Sequence, residues 1–525
     1  MIYIFDITRI LLRSHYPHPT GIDRVDTKYL YFLLSTGERV IFCKSSSSKK
    51  GFSIVRPEDA FPILENVFTN WEICDSLDKN LVNPLSCVNF VTGNLEEIIK
   101  SLPDENFVYL NFAHTNPIDF GNFELETLAC YKNLRIIFYI YDIIPIDFPE
   151  FSLVKSSSFK DFIKHVVKVS DLVFTDSIFV KKTLKNFISS NNIVSTTRIE
   201  NLYIGLHDYF LDLFKLNKEG RVNYIKKLEN LEGYNREKKN FFDLEEYKKT
   251  GFFLYVATIE ARKNHFFLFS LWKKLSEKLG DETPKLIFIG KKGWLNQDIL
   301  HALKVTNGLS NKIIWLQDAT DIDMLKIMCS EFCLGTLNPS FVEGYGMPAA
   351  ESASLGLPTV CSTCEAYAEA TQGQGIYLDP NSMNEWLKAV IEILRSRKGH
   401  FKNRLNNDNY QPILWPTSFN RFKELTLSLF DKEVPESKLI EMRWLVRRRL
   451  DSRLPAIVGL QVKNENSNAE LQEDRIKERR FFRFSRLFFG YAGKWLVVKF
   501  PTVYSVVVFP LNFYRRVGLL WDQSK

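Results

Sequence analysis

Two carboxylates, Glu343 and Glu351, bracket a glycine-rich stretch, Gly344-Tyr345-Gly346-Met347, with seven residues between them. An apolar run ends at Asn338, a turn follows, and a helix is predicted from about Met347. Pro348 falls in its first turn, where a missing N–H costs nothing. Gly344 and Gly346 let the backbone approach a phosphate, and the helix start offers unpaired N–H groups to an anion. Glu343 precedes the helix and Glu351 lies inside it, so both can face one ligand. A carboxylate that accepts from two adjacent hydroxyls is the usual way to hold a ribose.

A second segment, Tyr255-Val-Ala-Thr-Ile-Glu-Ala-Arg-Lys-Asn-His265, takes a strand into a turn and places Arg262 and Lys263 where the next helix begins. Two cations beside a helix start can neutralise a leaving diphosphate without a metal. Phe288-Ile-Gly-Lys-Lys-Gly-Trp294 ends another strand on a turn at Gly290. Near the N-terminus, Thr20-Gly-Ile-Asp-Arg-Val25 opens a helix, and Gly21 can bring backbone N–H groups to a diphosphate from across a cleft, with Arg24 adding charge or lying on the surface. In Asn111-Phe-Ala-His-Thr-Asn116, His114 follows a strand and suits either a sugar hydroxyl or a structural role. Asp321-Ile-Asp323 spells a metal-binding Asp-x-Asp, but its position at a helix start suits capping. No catalytic metal is therefore expected. The chain has no phosphate-binding P-loop, no nucleophile elbow and no His-Glu-x-x-His.

Short apolar strands alternate with helical patterns, which implies an α/β fold with parallel sheets. The strands expected in the first half are Ile2–Ile7, Val40–Lys44, Phe107–Phe112, Arg135–Tyr141, Leu172–Thr175 and Arg198–Ile204. A charged stretch at 217–249 reads as a solvated linker or surface hairpin, and the alternation then restarts at Phe252. The domain reading is an N-terminal Rossmann-like acceptor domain over 1–235 and a C-terminal Rossmann-like donor domain over 250–400. A closing helical segment over 401–435 and a basic helical and aromatic tail over 436–525 complete it. Two such sheets facing each other make a cleft beyond their strands' carboxyl ends.

The 525 residues exceed what one core holds, and 45% hydrophobic with 25% charged residues is ordinary globular composition. The net charge of +7 is uneven. Residues 476–525 are basic and aromatic, which fits contact with an anionic membrane surface, and the body is nearly neutral. No nucleic-acid motif accompanies the charge. The eight cysteines read as thiols of a reducing compartment. With no signal-peptide pattern and no spanning apolar run, the expected location is cytoplasmic, at the inner face of the cell membrane.

The Asn338–Leu357 string resembles the spaced-glutamate motif of the retaining GT-B glycosyltransferases, the large family that includes sucrose synthases and bacterial mannosyl- and rhamnosyltransferases. The Glu260-Ala-Arg-Lys-Asn264 segment resembles that family's diphosphate-contacting segment, and Gly290 its Gly-Trp loop near the nucleotide. The similarity spans roughly residues 1–430. It implies a GT-B fold, with Glu351 on the donor ribose and Glu343 facing the donor sugar. The backbone of Gly344, Tyr345, Gly346 and Met347 would contact sugar and diphosphate. Tyr139-Ile-Tyr-Asp-Ile-Ile-Pro145 resembles the family's acceptor-face His-Asp segment, with Tyr141 where many relatives have His and Asp142 retained. Asp176 and Ser177 match a family pattern that shapes a loop. The resemblance implies transfer, with retention, of a hexose or deoxyhexose from a nucleotide-diphosphate sugar such as GDP-mannose to a saccharide or lipid-linked oligosaccharide in bacterial surface polysaccharide synthesis. The nucleotide sugar is a substrate, and no separate cofactor is expected. A GT-B-like epimerase or sugar-phosphate synthase is one alternative, and a silent scaffold of an envelope-assembly complex is another.

Overall fold

The computed structural model describes residues 1–16, 18–46, 51–71, 94–229, 244–398 and 410–447, and the backbone of 495–499 and 504–508. Met1–Arg447 form one compact unit and Arg448–Lys525 a second.

The apolar runs become strands buried along almost their whole length, as parallel strands covered on both faces must be. The first sheet holds β1 (Ile2–Asp6), β2 (Arg39–Ser46), β3 (Gly51–Val55), β4 (Phe107–Asn111), β5 (Leu134–Ile140), β6 (Leu172–Thr175) and β7 (Arg198–Asn201), in the order β3-β2-β1-β4-β5-β6-β7. All pairs are parallel except β2 with β3, an edge hairpin. The second sheet holds β8 (Phe252–Val256), β9 (Lys285–Ile289), β10 (Ile313–Leu316), β11 (Cys333–Asn338), β12 (Thr359–Ser362) and β13 (Ile376–Leu378), all parallel, in the order β10-β9-β8-β11-β12-β13. Both sheets reverse direction of winding beside their first strand, between β1 and β4 and between β8 and β11. Such switch points open crevices at the strands' carboxyl ends.

Each sheet packs apolar layers on both faces. On the first, Tyr3, Phe5, Phe112, Tyr139 and Phe174 form one layer and Ile4, Tyr109, Phe138 and Phe162 belong to the other. The second has Leu254, Ile287, Leu325 and Met328 on one face, and Phe253, Phe288, Trp272 and Trp386 on the other.

The chain crosses to the second sheet earlier than the charged stretch suggested. Leu206, Phe210 and Leu213 already belong to the second sheet's core. Within the supposed linker, Lys218–Glu229 is a helix, and its Ile225 and Leu228 are buried there. Two apolar residues three apart suffice to dock one face of an otherwise polar helix. The return crossing leads into helix Trp415–Leu427, whose Phe422 packs on Tyr3, Phe112 and Phe174 of the first sheet.

Residues 436–447 are helical, as the basic stretch from Lys438 suggested, yet this helix belongs to the first unit. Leu439 and Met442 are buried, and Lys438 Nζ lies 2.6 Å from Asp171 Oδ1. In the second unit the described residues are two antiparallel strands, β14 (Trp495–Lys499) and β15 (Tyr504–Val508), rather than helix. Alternating β-branched and aromatic residues favour that choice. The rest of the basic region 476–525 lies outside the described residues. No helix among the described residues is long and apolar enough to cross a membrane.

Candidate active site

The β8 exit and the β11 exit meet at the second sheet's switch point. Arg262 and Lys263 sit in a short 3-10 turn, Ala261–Lys263. Asn264 ends the turn in a left-handed conformation (φ 57°), and its side-chain amide donates to the carbonyls of Pro339 and Pro380. That amide ties the β8 loop to the β11 loop. A backbone bond from Phe341 N to Arg262 O (2.9 Å) closes the same seam.

The two loops bring the predicted cations onto the first predicted carboxylate. Arg262 Nη1 donates to Glu343 Oε2 at 2.8 Å, and Lys263 Nζ to Glu343 Oε1 at 2.5 Å. Arg262 Nε also lies 3.2 Å from Glu260 Oε2. Burial alone would push the Glu343 carboxyl up, but Lys263 and then Arg262 overcome it and hold the group at about 2. Lys263 is itself driven below its ordinary value, by burial and by Arg262, against the pull of Glu343. Glu343 is thus shared by two buried cations, and Glu260 is a second carboxylate beside Arg262.

Residues that the motifs did not single out build the wall around this cluster. Tyr255 Oη donates to Lys263 O at 2.8 Å and meets Ser340 Oγ at 3.0 Å. Tyr367 Oη donates to Ser340 Oγ (2.9 Å) and lies 3.3 Å from Glu343 Oε1. Tyr255 falls inside a quoted motif, but its alternation reads as strand core. Tyr367 has no spacing signal at all.

The glycine-rich turn behaves as a close-approach loop. Gly346 has φ +98° and occupies the cap position of helix Met347–Ser354, where a Cβ would meet the Tyr367 ring at 2.8 Å. At Gly344 a Cβ would stand 2.2 Å from the Tyr141 carbonyl oxygen, across the cleft. Tyr345 is buried and Met347 half-buried. Gly290 ends β9 with its backbone on Ala257, where a Cβ would lie 2.1 Å from that carbonyl oxygen.

Glu351 is one turn into the helix and lines a different space from Glu343. That space is a cavity of about 550 Å³, partly open to solvent, whose walls include Arg24, Lys28, His207, Glu351, Tyr410 and Trp415. Burial pushes the Glu351 carboxyl up to about 8, with Arg24 pulling down and Asp321 pushing up. Asp323 makes the capping box with Thr320, whereas Asp321 reaches across the cleft to Arg24, Nη2 to Oδ2 at 2.5 Å. Among the described residues no group of three or more His, Cys, Asp or Glu could hold a metal ion.

The first sheet supplies the facing wall. Helix Gly21–Ser35 begins with a capping box between Thr20 and Asp23, and a Cβ on Gly21 would lie 2.6 Å from Met347 Cε. His114 has a left-handed backbone (φ 55°), and its Nε2 is buried with no hydrogen-bond partner. Burial holds its ring neutral, at about 4, although Asp142 pulls the other way. Asp142 Oδ1 accepts from Ile144 N at 3.0 Å, and its charge reaches both His114 and Arg262. Tyr141 is buried with its hydroxyl donating to Phe112 O at 2.7 Å, so its side chain is committed to the fold while its carbonyl meets Gly344. Ser177 caps helix Ile178–Ser190 and donates to Gly344 O at 2.7 Å. Glu369, from the second sheet's side, accepts from Ile178 N and Phe179 N at 2.7 Å each. The sheets thus face each other in a closed arrangement, locked along one edge.

Known proteins match this arrangement. Residues 236–411 match the family model described as glycosyl transferases group 1. The O-antigen chain mannosyltransferase B of Escherichia coli is 30% identical over 145 residues, 28% of this chain and 37% of that protein. The O-antigen chain mannosyltransferase RfbU of Salmonella typhimurium is 24% identical over 308 residues, 57% of this chain and 74% of that one. Among solved structures, sucrose-phosphate synthase from Thermosynechococcus elongatus superposes with a TM-score of 0.52 at 13% identity, covering 82% of this chain and 99% of that one. Anabaena HepE in complex with UDP-glucose gives 0.50 at 13% identity, covering 81% and 99%. At such identities these two likenesses concern the fold. Residues 236–411 thus resemble the glycosyl transferases group 1, and the two Rossmann-like sheets have the GT-B fold.

Proposed function

We propose that the chain is a retaining glycosyltransferase that moves a hexose or deoxyhexose from a nucleotide-diphosphate sugar to a saccharide or lipid-linked acceptor in bacterial surface polysaccharide assembly. The observation that carries this reading is the pair of buried cations, Arg262 and Lys263, sharing one carboxylate at the second sheet's switch point. A diphosphate is the ligand such a pair suits. In a water-poor cleft a diphosphate gains far more from fixed cations than it would in water. The mannosyltransferase names among the relatives favour a GDP-mannose-type donor.

In this mechanism the donor diphosphate takes Arg262 and Lys263, and Glu343 turns a carboxylate oxygen to the sugar. Glu351 accepts from the ribose hydroxyls, and the glycine backbone at 344–346 lies along the phosphates. The acceptor sits on the first sheet's side, where His114 and Asp142 bind its hydroxyls. The sugar–phosphate bond breaks, the acceptor oxygen bonds the same face of the anomeric carbon, and its proton passes to the leaving phosphate oxygen. Closure excludes water, which would otherwise take the sugar. No metal takes part, because the two cations carry the leaving charge.

A thermal-shift screen against GDP, UDP, dTDP, ADP and their sugar conjugates, with magnesium or with EDTA, tests the reading. One nucleotide series raises the melting temperature equally in both conditions. Absence of any shift sinks the donor site, and a shift only with magnesium sinks the metal-free clamp. The anomeric configuration of the product, read by NMR, decides retention.

A further inference from the structure

The ion pair between Arg24 and Asp321 joins the two sheets across the cleft. The start of the Asp321 helix is already capped by the Thr320–Asp323 box. Arg24 lies on the face of helix Gly21–Ser35 that also carries Gly21 and Lys28, and this face meets helix Met347–Ser354. Arg24 and Glu351 line the same cavity.

The charged and titratable groups around Glu351 come from four elements and from the glycine-rich loop, which gives Tyr345. Helix Gly21–Ser35 gives Arg24 and Lys28, the outgoing crossing gives His207 and Asp208, helix Asp321–Cys329 gives Asp321, and the return crossing gives Tyr410. Lys28 is held by Asp208 at 2.7 Å. His207 is kept neutral by burial, at about 4, and its Nδ1 accepts from Tyr209 N, so its proton sits on a buried Nε2 that has no partner. Arg24 is therefore the cation whose field acts on Glu351, from a helix of the opposite sheet's side.

We propose that Arg24 is a positioning residue for the donor ribose, delivered by the opposite domain: closure seats it on Asp321 beside Glu351, and Glu351 then grips the ribose diol. This rests on the donor reading above. A carboxylate accepts from both hydroxyls of a diol, whereas a protonated carboxyl offers one oxygen less for that purpose. Arg24 favours the carboxylate, Asp321 opposes it, and their contact fixes the balance. The arrangement makes the ribose a sensor of closure.

Calorimetry on the full chain tests this with GDP and UDP and with their 2′-deoxy analogues. Wild-type protein is expected to bind the ribonucleotide about tenfold or more tighter than the deoxy analogue, the scale of a hydrogen bond to a charged group. Arg24→Ala should remove most of that preference while leaving deoxy affinity within about twofold, a coupling that only the diol can carry. Arg24→Lys should restore part of it, and serves if Arg24→Ala fails to fold. Ribonucleotide affinity should rise with pH as Glu351 ionises. Arg24→Ala should move that rise to higher pH and Asp321→Asn to lower pH, since one removes a cation and the other an anion. Equal losses for ribo and deoxy ligands, or unmoved pH profiles, overturn the proposal while leaving the donor site intact. Failure of the wild-type protein to bind either ribonucleotide overturns the donor reading itself.

Discussion

Two clusters in the cleft handle burial in opposite ways. Around Glu343, on the second sheet's side, the buried groups are paired as ions, with Glu343 held at about 2 between Lys263 and Arg262. Around Asp26, Asp176 and His114, on the first sheet's side, burial wins. Burial pushes the carboxyls of Asp26 and Asp176 well up and His114 down to about 4. Both Asp26 oxygens, Asp176 Oδ1 and His114 Nε2 also lack hydrogen-bond partners. A wall of paired charges suits a ligand that exchanges charge, such as a diphosphate. Buried polar atoms without partners suit a ligand that brings hydroxyls. Such a difference favours the proposed placement of donor and acceptor on opposite sheets.

The sharpest way to break that contrast is Lys263→Ala, which removes one of the charged wall's two cations. Turnover should fall about 10²–10³-fold, the cost of deleting one preorganised donor to a developing charge. Full activity in steady-state assays would end the phosphate role. Next comes the seam between the walls. Gly344→Ala places a Cβ 2.2 Å from the backbone oxygen of Tyr141, which cannot swing aside. Nucleotide binding by calorimetry should survive within a few-fold while turnover drops about 10²-fold, as for a misplacement of about 1 Å. Parallel losses in binding and turnover would mean that the seam matters for the donor pocket alone.

A milder perturbation is Glu369→Gln, which keeps the shape but removes the charge that caps helix Ile178–Ser190. Closure should weaken by about fivefold, the scale of a carboxylate at a helix start, read as a rise in donor KM and a larger radius of gyration in solution scattering. The smallest effect probes the first sheet's side. His114 has a folded value near 4 against about 6.5 unfolded. Between those values the unfolded chain binds a proton that the folded chain refuses, so stability is lost as pH falls from about 6.5 toward 4. His114→Gln should make that slope shallower in urea melts, by at most about 1.4 kcal/mol per pH unit. An unchanged slope would mean that the folded ring takes the proton.

Much of this was legible from the chain's pattern. Buried parallel strands such as Ile2–Asp6 and Phe252–Val256 are continuous apolar runs, and their alternation with helices gives the two sheets. The meeting of Glu343, Arg262 and Lys263 was legible because short loops at a switch point keep motif residues near each other. Other contacts escaped for physical reasons. Arg24 meets Asp321 and Ser177 meets Gly344 only after two sheets close, a relation with no sequence period. Tyr141, read as an acceptor residue, has its hydroxyl taken by Phe112 O. The charged stretch after Asn217 concealed a helix, because only two of its side chains, Ile225 and Leu228, are buried apolar groups.

The two crossings between the sheets run side by side. Leu206 N donates to Ile413 O at 2.8 Å, and Trp415 packs so closely on Gly205 that a Cβ there would lie 2.6 Å from the indole. The halves therefore share one spine made of two neighbouring chain segments, and Ser177 on Gly344 and Arg24 on Asp321 join them a second time across the cleft, so that the connection is a seam as well as a tether.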